Sequence, residues 1–305
     1  MRPAARVTVG VKCLGTWLTL CVAIVLLGPG PGEALTVRDM QGREIVLVAL
    51  PQRIVSLVPS ATEIIFALGG EGRLVGRTDF CDYPEAARTK TTVGGMVNPN
   101  LETIATLKPD LVIATSSGNT VETFNQLTRL GIPVYQVGAE RMAEVKDVVR
   151  RLGVLTGREA AAPPLIDELD RRVAAVRDAV KRFPRPRVLY VLWPEPLIVP
   201  GGRSLVTELI DIAGGASITA QDADDYPRYS LEAAVAKSPD IIVLANHGTR
   251  SGPVALDRWK RLTSLPAVRN GRVYSVDGNL MHRYGFRMLE GLERLARALH
   301  PEAFR

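Results

Sequence analysis

From Asn100 the chain places a polar cap, an apolar stripe at helical spacing, a proline and an unbroken apolar run: NLETIATLKPDLVIA. From Ser230 it does so again, as SLEAAVAKSPDIIVLA. Aligned without a gap, Leu101 meets Leu231, Glu102 meets Glu232, Pro109 meets Pro239 and Asp110 meets Asp240. Asn100 and Ser230 each offer a side-chain oxygen to the free amides of a first helical turn. Each helix must end before its proline, which disfavours helical backbone in the residue ahead of it. DLVIA and DIIVL, apolar without alternation, predict short strands covered on both faces, as in a parallel sheet.

The correspondence extends outward. Arg53-IVSLV-Pro59 and Arg187-VLYVLW-Pro194 each read as a strand, followed by helices closing on ALGG (67–70) and IAGG (212–215). GIPVYQV (131–137) and GRVYSVD (271–277) each read as a strand after a helix. Three matched units in the same order predict an α/β fold of two Rossmann-like lobes with mainly parallel sheets. Between them, Leu165, Leu169, Val173, Val176 and Val180 recur at helical spacing, with Pro163 and Pro164 suited to a helix start and Pro184 stopping it. A single helix of about 30 Å over Pro164 to Phe183 then joins the lobes, and it resists a wide hinge. The expected division is 1–34 as a signal peptide, 35–157 as the N-terminal lobe, 158–184 as the connecting helix and 185–305 as the C-terminal lobe.

Composition adds the leader. Arg2, Arg6 and Lys12 precede the apolar CLGTWLTLCVAIVLL (13–27), shorter than the roughly 20 residues that span a bilayer. Small residues at Gly32 and Ala34 suit cleavage after Ala34, so a periplasmic, exported protein is expected. Removing that segment leaves Cys81 as the single thiol, without a disulfide partner. The formal charge is +6, with Lys and Arg scattered instead of clustered, which argues against nucleic acid as a partner.

Enzyme chemistry needs a constellation, and none stands out. GGEGRLVG (69–76) follows a helix, where a nucleotide-binding glycine loop should follow a strand. His247, His282 and His300 lack metal-ligand spacing to one another or to Cys81, and DADD (222–225) lacks a calcium-loop pattern. No catalytic residue, metal site or cofactor is expected. What stands out in a chain only 5% aromatic is the placing of its rings: Phe80, Tyr83, Trp193, Tyr226, Tyr229, Tyr284 and Phe286 fall in loops or at strand ends. The carboxyl edge of a parallel sheet is where open α/β folds bind ligands.

RIVSLVPSATEIIFALGG, VGRTDFCDYP and NLETIATLKPDLVIA carry a resemblance to substrate-binding proteins of ABC importers, the class with two α/β lobes joined by one long helix. CDYP followed by GGMVNPNLE is most similar to the cobalamin-binding branch. The resemblance implies a monomer that holds a corrinoid between its lobes and delivers it to a membrane permease. Phe80, Met96, Trp193, Tyr226, His282 and Arg283 would lie near the ligand, and the loop aromatics Tyr83 and Tyr229 join this set. The branch pattern has Trp where Met96 and Tyr226 stand, and an acid where His282 stands. His282 thereby becomes a candidate for a haem iron or a corrin cobalt. Glu102 and Glu232 would meet permease arginines, one per lobe. Alternatives are a haem or ferric-siderophore receptor, for which Arg77, Arg228, Arg283 and Arg287 offer positive charge, or a soluble chelatase-like enzyme acting on a tetrapyrrole.

Overall fold

The computed structural model describes residues 34–247 and 251–305, with the backbone alone over 251–255. The expected leader lies outside the described residues up to Ala34. A hairpin of β1 (Leu35–Arg38) and β2 (Glu44–Leu47) opens the described chain. The first lobe then places β3 (Ile54–Ser56), β4 (Leu74–Arg77), β5 (Thr91–Thr92), β6 (Leu111–Ala114) and β7 (Val134–Gln136) in a parallel sheet of order β5-β4-β3-β6-β7. Its helices are α1 (Pro59–Ala67), α2 (Leu101–Thr106), α3 (Val121–Arg129) and α4 (Met142–Thr156).

After α5 (Ala162–Val180), the second lobe contributes β8 (Arg187–Val191), the small β9 (Trp193–Pro194) and β10 (Leu197–Ile198) hairpin, β11 (Ala216–Ser217), β12 (Ile241–Asn246) and β13 (Val273–Asp277). Its main sheet is parallel, with the order β11-β8-β12-β13. The helices are α6 (Leu205–Ile212), α7 (Leu231–Ala236), α8 (Ser251–Lys260), α9 (Pro266–Arg269), α10 (Gly278–His282) and α11 (Met288–Leu299). Two sheets, not one continuous sheet, carry the fold.

The repeated sequence phrases become repeated structure. Asn100 accepts from the Thr103 amide at 2.8 Å, and Ser230 from the Ala233 amide at 3.1 Å. Lys108 and Ser238, each just ahead of its proline, both take left-handed backbone, at φ 46° and 43°. The aspartate after each proline then reaches back to the first strand of its lobe. Asp110 accepts from the amides of Gln52 and Arg53, and Asp240 from that of Arg187. The α1 and α6 helices end alike, with Gly69 and Gly214 left-handed and the next glycine's amide bonded to Ile65 and Ile210 respectively.

Alternation within strands decides which core each side chain joins. Leu111 and Ile113 of β6 and Val188 and Tyr190 of β8 face one shared cluster, which also takes in α1, α4, α5, α6 and α11. Val112 and Ala114 face a separate cluster with Phe124 and Leu127, and Leu189 and Val191 face another with Ile242 and Trp259. The shared cluster runs through α5, whose Ile166, Leu169, Val173, Val176 and Val180 are buried. The helix begins two residues earlier than expected and ends at Val180, and Ile166 takes the buried place expected of Leu165, which is only partly covered. At 1.5 Å per residue α5 is about 28 Å long. The rod is thus cored into both lobes.

Candidate ligand-binding site

The loops after β6 and β7 meet residues from the loop before α7 and from the α10 region across a cavity of about 470 Å³. The first lobe supplies Thr115, Ser116 and Ser117, then Gly138, Ala139, Glu140 and Glu144; the second supplies Asp225, Tyr226, His282 and Tyr284. Asn119 shapes the first wall, accepting from the Thr115 amide at 2.8 Å and donating to the Met96 carbonyl at 2.7 Å. Three carboxylates and no lysine or arginine line this cavity. Partial enclosure first, then Asp225 and Glu140, raise the Tyr226 phenol above its ordinary value, although the residue as a whole is 47% exposed. Burial lifts Tyr284 to about 12, and its hydroxyl is buried without a hydrogen-bond partner among the described residues, with Ser60 and Thr115 nearby.

A row of rings backs the second wall. His282 Nε2 lies 3.0 Å from the Tyr190 hydroxyl, and the His282 ring sits 5.0 Å from that of His247, which in turn lies 5.6 Å from Trp193. The β12–β13 register, pairing Asn246 with Asp277, brings the two histidines together although they lie far apart in sequence. His247 Nε2 donates to the Leu192 carbonyl at 3.2 Å. Burial, with His247 adding to it, pushes His282 down to about 3, so its ring is neutral at ordinary pH. The Tyr190 hydroxyl engages His282 Nε2. Among the described residues, no group of three or more His, Cys, Asp or Glu is arranged to hold a metal ion.

Beyond this row the lobes are tied by charge. Glu63 on α1 is 5% exposed and accepts from Arg287 of the other lobe through Nε at 3.1 Å and Nη2 at 2.5 Å. Arg283 lies 3.5 Å from Glu63 and donates to Asp82 at 2.8 Å. Burial opposes the Asp82 charge, but the Arg283 hydrogen bond and the charges of Arg283 and Arg287 outweigh it, and the carboxyl falls below its usual range. Gly285 permits the approach, because a Cβ there would stand 2.9 Å from Glu63 Oε2. Arg287 also covers the Tyr83 ring at 4.2 Å. A second interlobe cavity, of about 610 Å³, opens here between Glu63, Phe66, Tyr83, Leu165, Phe286 and Arg287. The lobes touch at a further point, where Glu208 of α6 accepts from the Met142 amide at 2.8 Å and Arg141 donates to the Gly202 carbonyl at 3.0 Å.

The residues singled out in the sequence distribute unevenly over this site. Tyr226 and His282 line the 470 Å³ cavity, and Met96 stands behind its Thr115–Asn119 wall. Tyr83 lines the larger cavity, and Arg283 is spent on Glu63 and Asp82. Phe80 is exposed on the loop after β4. Trp193 and Tyr229 share a different hollow of about 440 Å³ with Leu231 and Trp259, and the Tyr229 hydroxyl donates to Asp222 at 2.6 Å. Glu102 and Glu232 sit exposed in the first turns of α2 and α7, neither in an ion pair among the described residues. Sequence reasoning missed His247 and Glu63. A signal for Glu63 was present: Thr62-Glu63-Ile64-Ile65 ahead of Gly69-Gly70 matches Thr207-Glu208-Leu209-Ile210 ahead of Gly214-Gly215.

A profile of the family described as periplasmic binding protein matches residues 54–280. The chain belongs to that family. The binding protein is 29% identical to an ABC transporter substrate-binding lipoprotein, YvrC, of Bacillus subtilis, over 96% of this chain and 99% of the relative. Its fold superposes on the periplasmic vitamin B12 binding protein BtuF of Vibrio cholerae with a TM-score of 0.72 and 27% identity, covering 84% of this chain and 99% of that one. A periplasmic heme binding protein of Pseudomonas aeruginosa gives a TM-score of 0.74 at 28% identity, covering 83% and 94%. These relatives are transport binding proteins, and their ligands differ at equal structural distance. Among the described residues no helix is long and apolar enough to cross a membrane.

Proposed function

We propose that this binding protein captures a corrinoid between its lobes in the periplasm and hands it to the permease of an ABC importer. The observation that carries the choice of ligand is charge. The 470 Å³ cavity presents carboxylates, hydroxyls and rings with no cationic side chain. The second-lobe arginines nearest it are paired, Arg283 and Arg287 with Glu63 and Asp82. Arg77 donates to the carbonyls of Thr78, Ala87 and Arg88 and, like Arg228, lies outside the cavity lining. Haem and ferric siderophores present anionic groups that would enter such a site unpaired, at a cost that grows with burial. A corrinoid meets it with an amide-rimmed, cobalt-centred ring, for which aromatic walls and hydroxyl partners are suited. His282 then serves as a neutral wall residue held by Tyr190, and no chemistry is required of the protein.

The exposed Glu102 and Glu232 fit the docking role implied by the family likeness. An exposed ion pair adds only ~0–1 kcal/mol, so their value is steering and register on the permease. Absorbance titration of the purified protein with cyanocobalamin, haemin and a ferric chelate tests the ligand assignment. Cyanocobalamin is expected to bind at micromolar concentration or below. Binding of haemin or the chelate without cyanocobalamin would overturn it.

A further inference from the structure

Of the cavities that both lobes line among the described residues, those of about 470 Å³ and 610 Å³ are linked by α1 and residues 282–287. Along α1, Ser60 stands near the Tyr284 hydroxyl at the smaller cavity and Phe66 lines the larger, with Glu63 between them on the same helical face. Along the facing segment, His282 and Tyr284 line the smaller cavity, while Phe286 and Arg287 line the larger. The two strands of contact meet at Glu63, Arg283 and Arg287. Glu63 is nearly sealed from solvent, its side chain 3% exposed, and it holds one guanidinium by two hydrogen bonds and a second at 3.5 Å. What the carboxylate does is cancel positive charge aimed into the interlobe gap.

We propose that Glu63 is a specificity-determining positioning residue, whose buried charge masks Arg283 and Arg287 and so excludes ligands bearing carboxylates. Removing a single member of a buried charge group leaves its partner uncompensated, which is unfavourable by more than the pair contributes when intact. With glutamine at position 63, Arg287 keeps its seat on the Tyr83 face and its opening onto the larger cavity but loses its counter-charge. A carboxylate on an incoming ligand can then take the vacated place through a two-point, charge-assisted contact. The same change offers nothing to a ligand whose rim is amide or ester. This rests on the reading of the interlobe gap as the ligand site, while the discrimination it describes holds for any flat ring placed there.

Haemin and its dimethyl ester share one ring and differ in two carboxylates, so their affinity ratio isolates the effect. In Glu63→Gln the ratio is expected to move at least tenfold toward the free acid, and the gain should shrink as salt is raised, because it is a charge interaction. Glu63→Asp, which keeps the charge, should leave the ratio at its wild-type value; a purely structural role would move both ligands together in both variants. An unchanged ratio in folded Glu63→Gln overturns the inference, as does a parallel loss of both ligands. If Glu63→Gln does not fold, Asp82→Asn decides, since that carboxylate is 43% exposed and its loss leaves Arg283 only the longer contact to Glu63 at 3.5 Å. A shift of about threefold toward the free acid is expected for it, scaled from the charge-assisted contact, and no shift overturns the inference. Wild-type failure to bind cyanocobalamin, with the ratio still moving in Glu63→Gln, would sink the corrinoid assignment and leave this one standing.

Discussion

The two lobes share a framework and differ at their edges. Caps, left-handed residues before the prolines, aspartate staples and paired glycine stops recur in both at matching places. The glutamate one turn into the first helix recurs too, and in both lobes it reaches across the gap. Yet Glu63 finds two guanidinium groups, whereas Glu208 finds the backbone amide of Met142 at the start of α4. The edges facing the gap differ as well. The first lobe presents short hydroxyl side chains at Thr115, Ser116 and Ser117, and the second presents the rings of Tyr226, His282 and Tyr284. A framework fixed by local hydrogen bonds tolerates such divergence, because the loops at the strand ends carry little of the packing. On the proposed reading, function is concentrated where the halves are unlike, with the exposed glutamates of α2 and α7 as the exception.

That exception gives the prediction with the largest effect. Reversing charge at both positions, Glu102→Lys with Glu232→Lys, should cut permease-dependent uptake at least tenfold, an order-of-magnitude expectation from losing steering and gaining like-charge repulsion at two anchors. Ligand affinity in the isolated protein should stay within about twofold, since exposed charges this far from a site are screened. Uptake that survives the double reversal removes docking from the account. Either single reversal should fall between, and equal single effects would show that the lobes contribute alike.

The next comparison sets the shared core against a lobe's own core. Leu169 on α5 is 1% exposed in the cluster common to both lobes, and Leu127 on α3 is fully buried in a cluster private to the first. Each truncation to alanine should cost about 2–5 kcal/mol. Leu169→Ala is expected to lower a single calorimetric transition, because its neighbours belong to both halves. Two resolved transitions, with one left in place, would show that α5 joins the lobes without coupling them.

The sequence made the framework legible because each of its parts is local. Asn100, Pro109 and Asp110 are separated by no more than one short helix and its stop, and so are Ser230, Pro239 and Asp240. The site was legible only in outline. His247 meets His282 through strand register, and Glu63 meets Arg287 across 224 positions of sequence. No spacing rule reports such contacts, since they depend on how far two separate sheets approach each other. Trp193 shows the converse difficulty. Its place after a strand is right for a ligand wall, but it stands in the Tyr229 and Trp259 hollow, with its ring 5.6 Å from that of His247.

The helix stops sharpen the contrast between identical backbone and unlike surroundings. Gly69 and Gly214 have φ of 72° and 80°, so alanine at either meets the left-handed penalty of roughly 1–2 kcal/mol. A Cβ at Gly69 meets nothing within 4 Å, whereas at Gly214 it would stand 2.7 Å from His300 Nε2 and 2.9 Å from Val180 at the end of α5. Gly214→Ala should therefore exceed Gly69→Ala by a further ~1–3 kcal/mol, the usual cost of overpacking. Equal losses in chemical denaturation would mean that the second lobe yields at this seam.

The smallest effect belongs to the caps that opened the comparison. Asn100→Ala and Ser230→Ala should each cost about 1 kcal/mol, and nearly the same, because each removes one bond to a first-turn amide. Ser230 has one further task. The Glu232 carboxyl is held below its ordinary value first by its own backbone amide and then by the Ser230 side chain. A carboxyl depressed in the folded state stabilises the fold above its unfolded pKa, and that contribution disappears as pH falls through the folded value. Ser230→Ala should thus raise the Glu232 midpoint toward 4.5 and narrow this window from below, as followed by carboxyl NMR titration. If the midpoint stays put, the backbone amide alone holds the charge, and α7 presents its carboxylate to a partner without help from its cap.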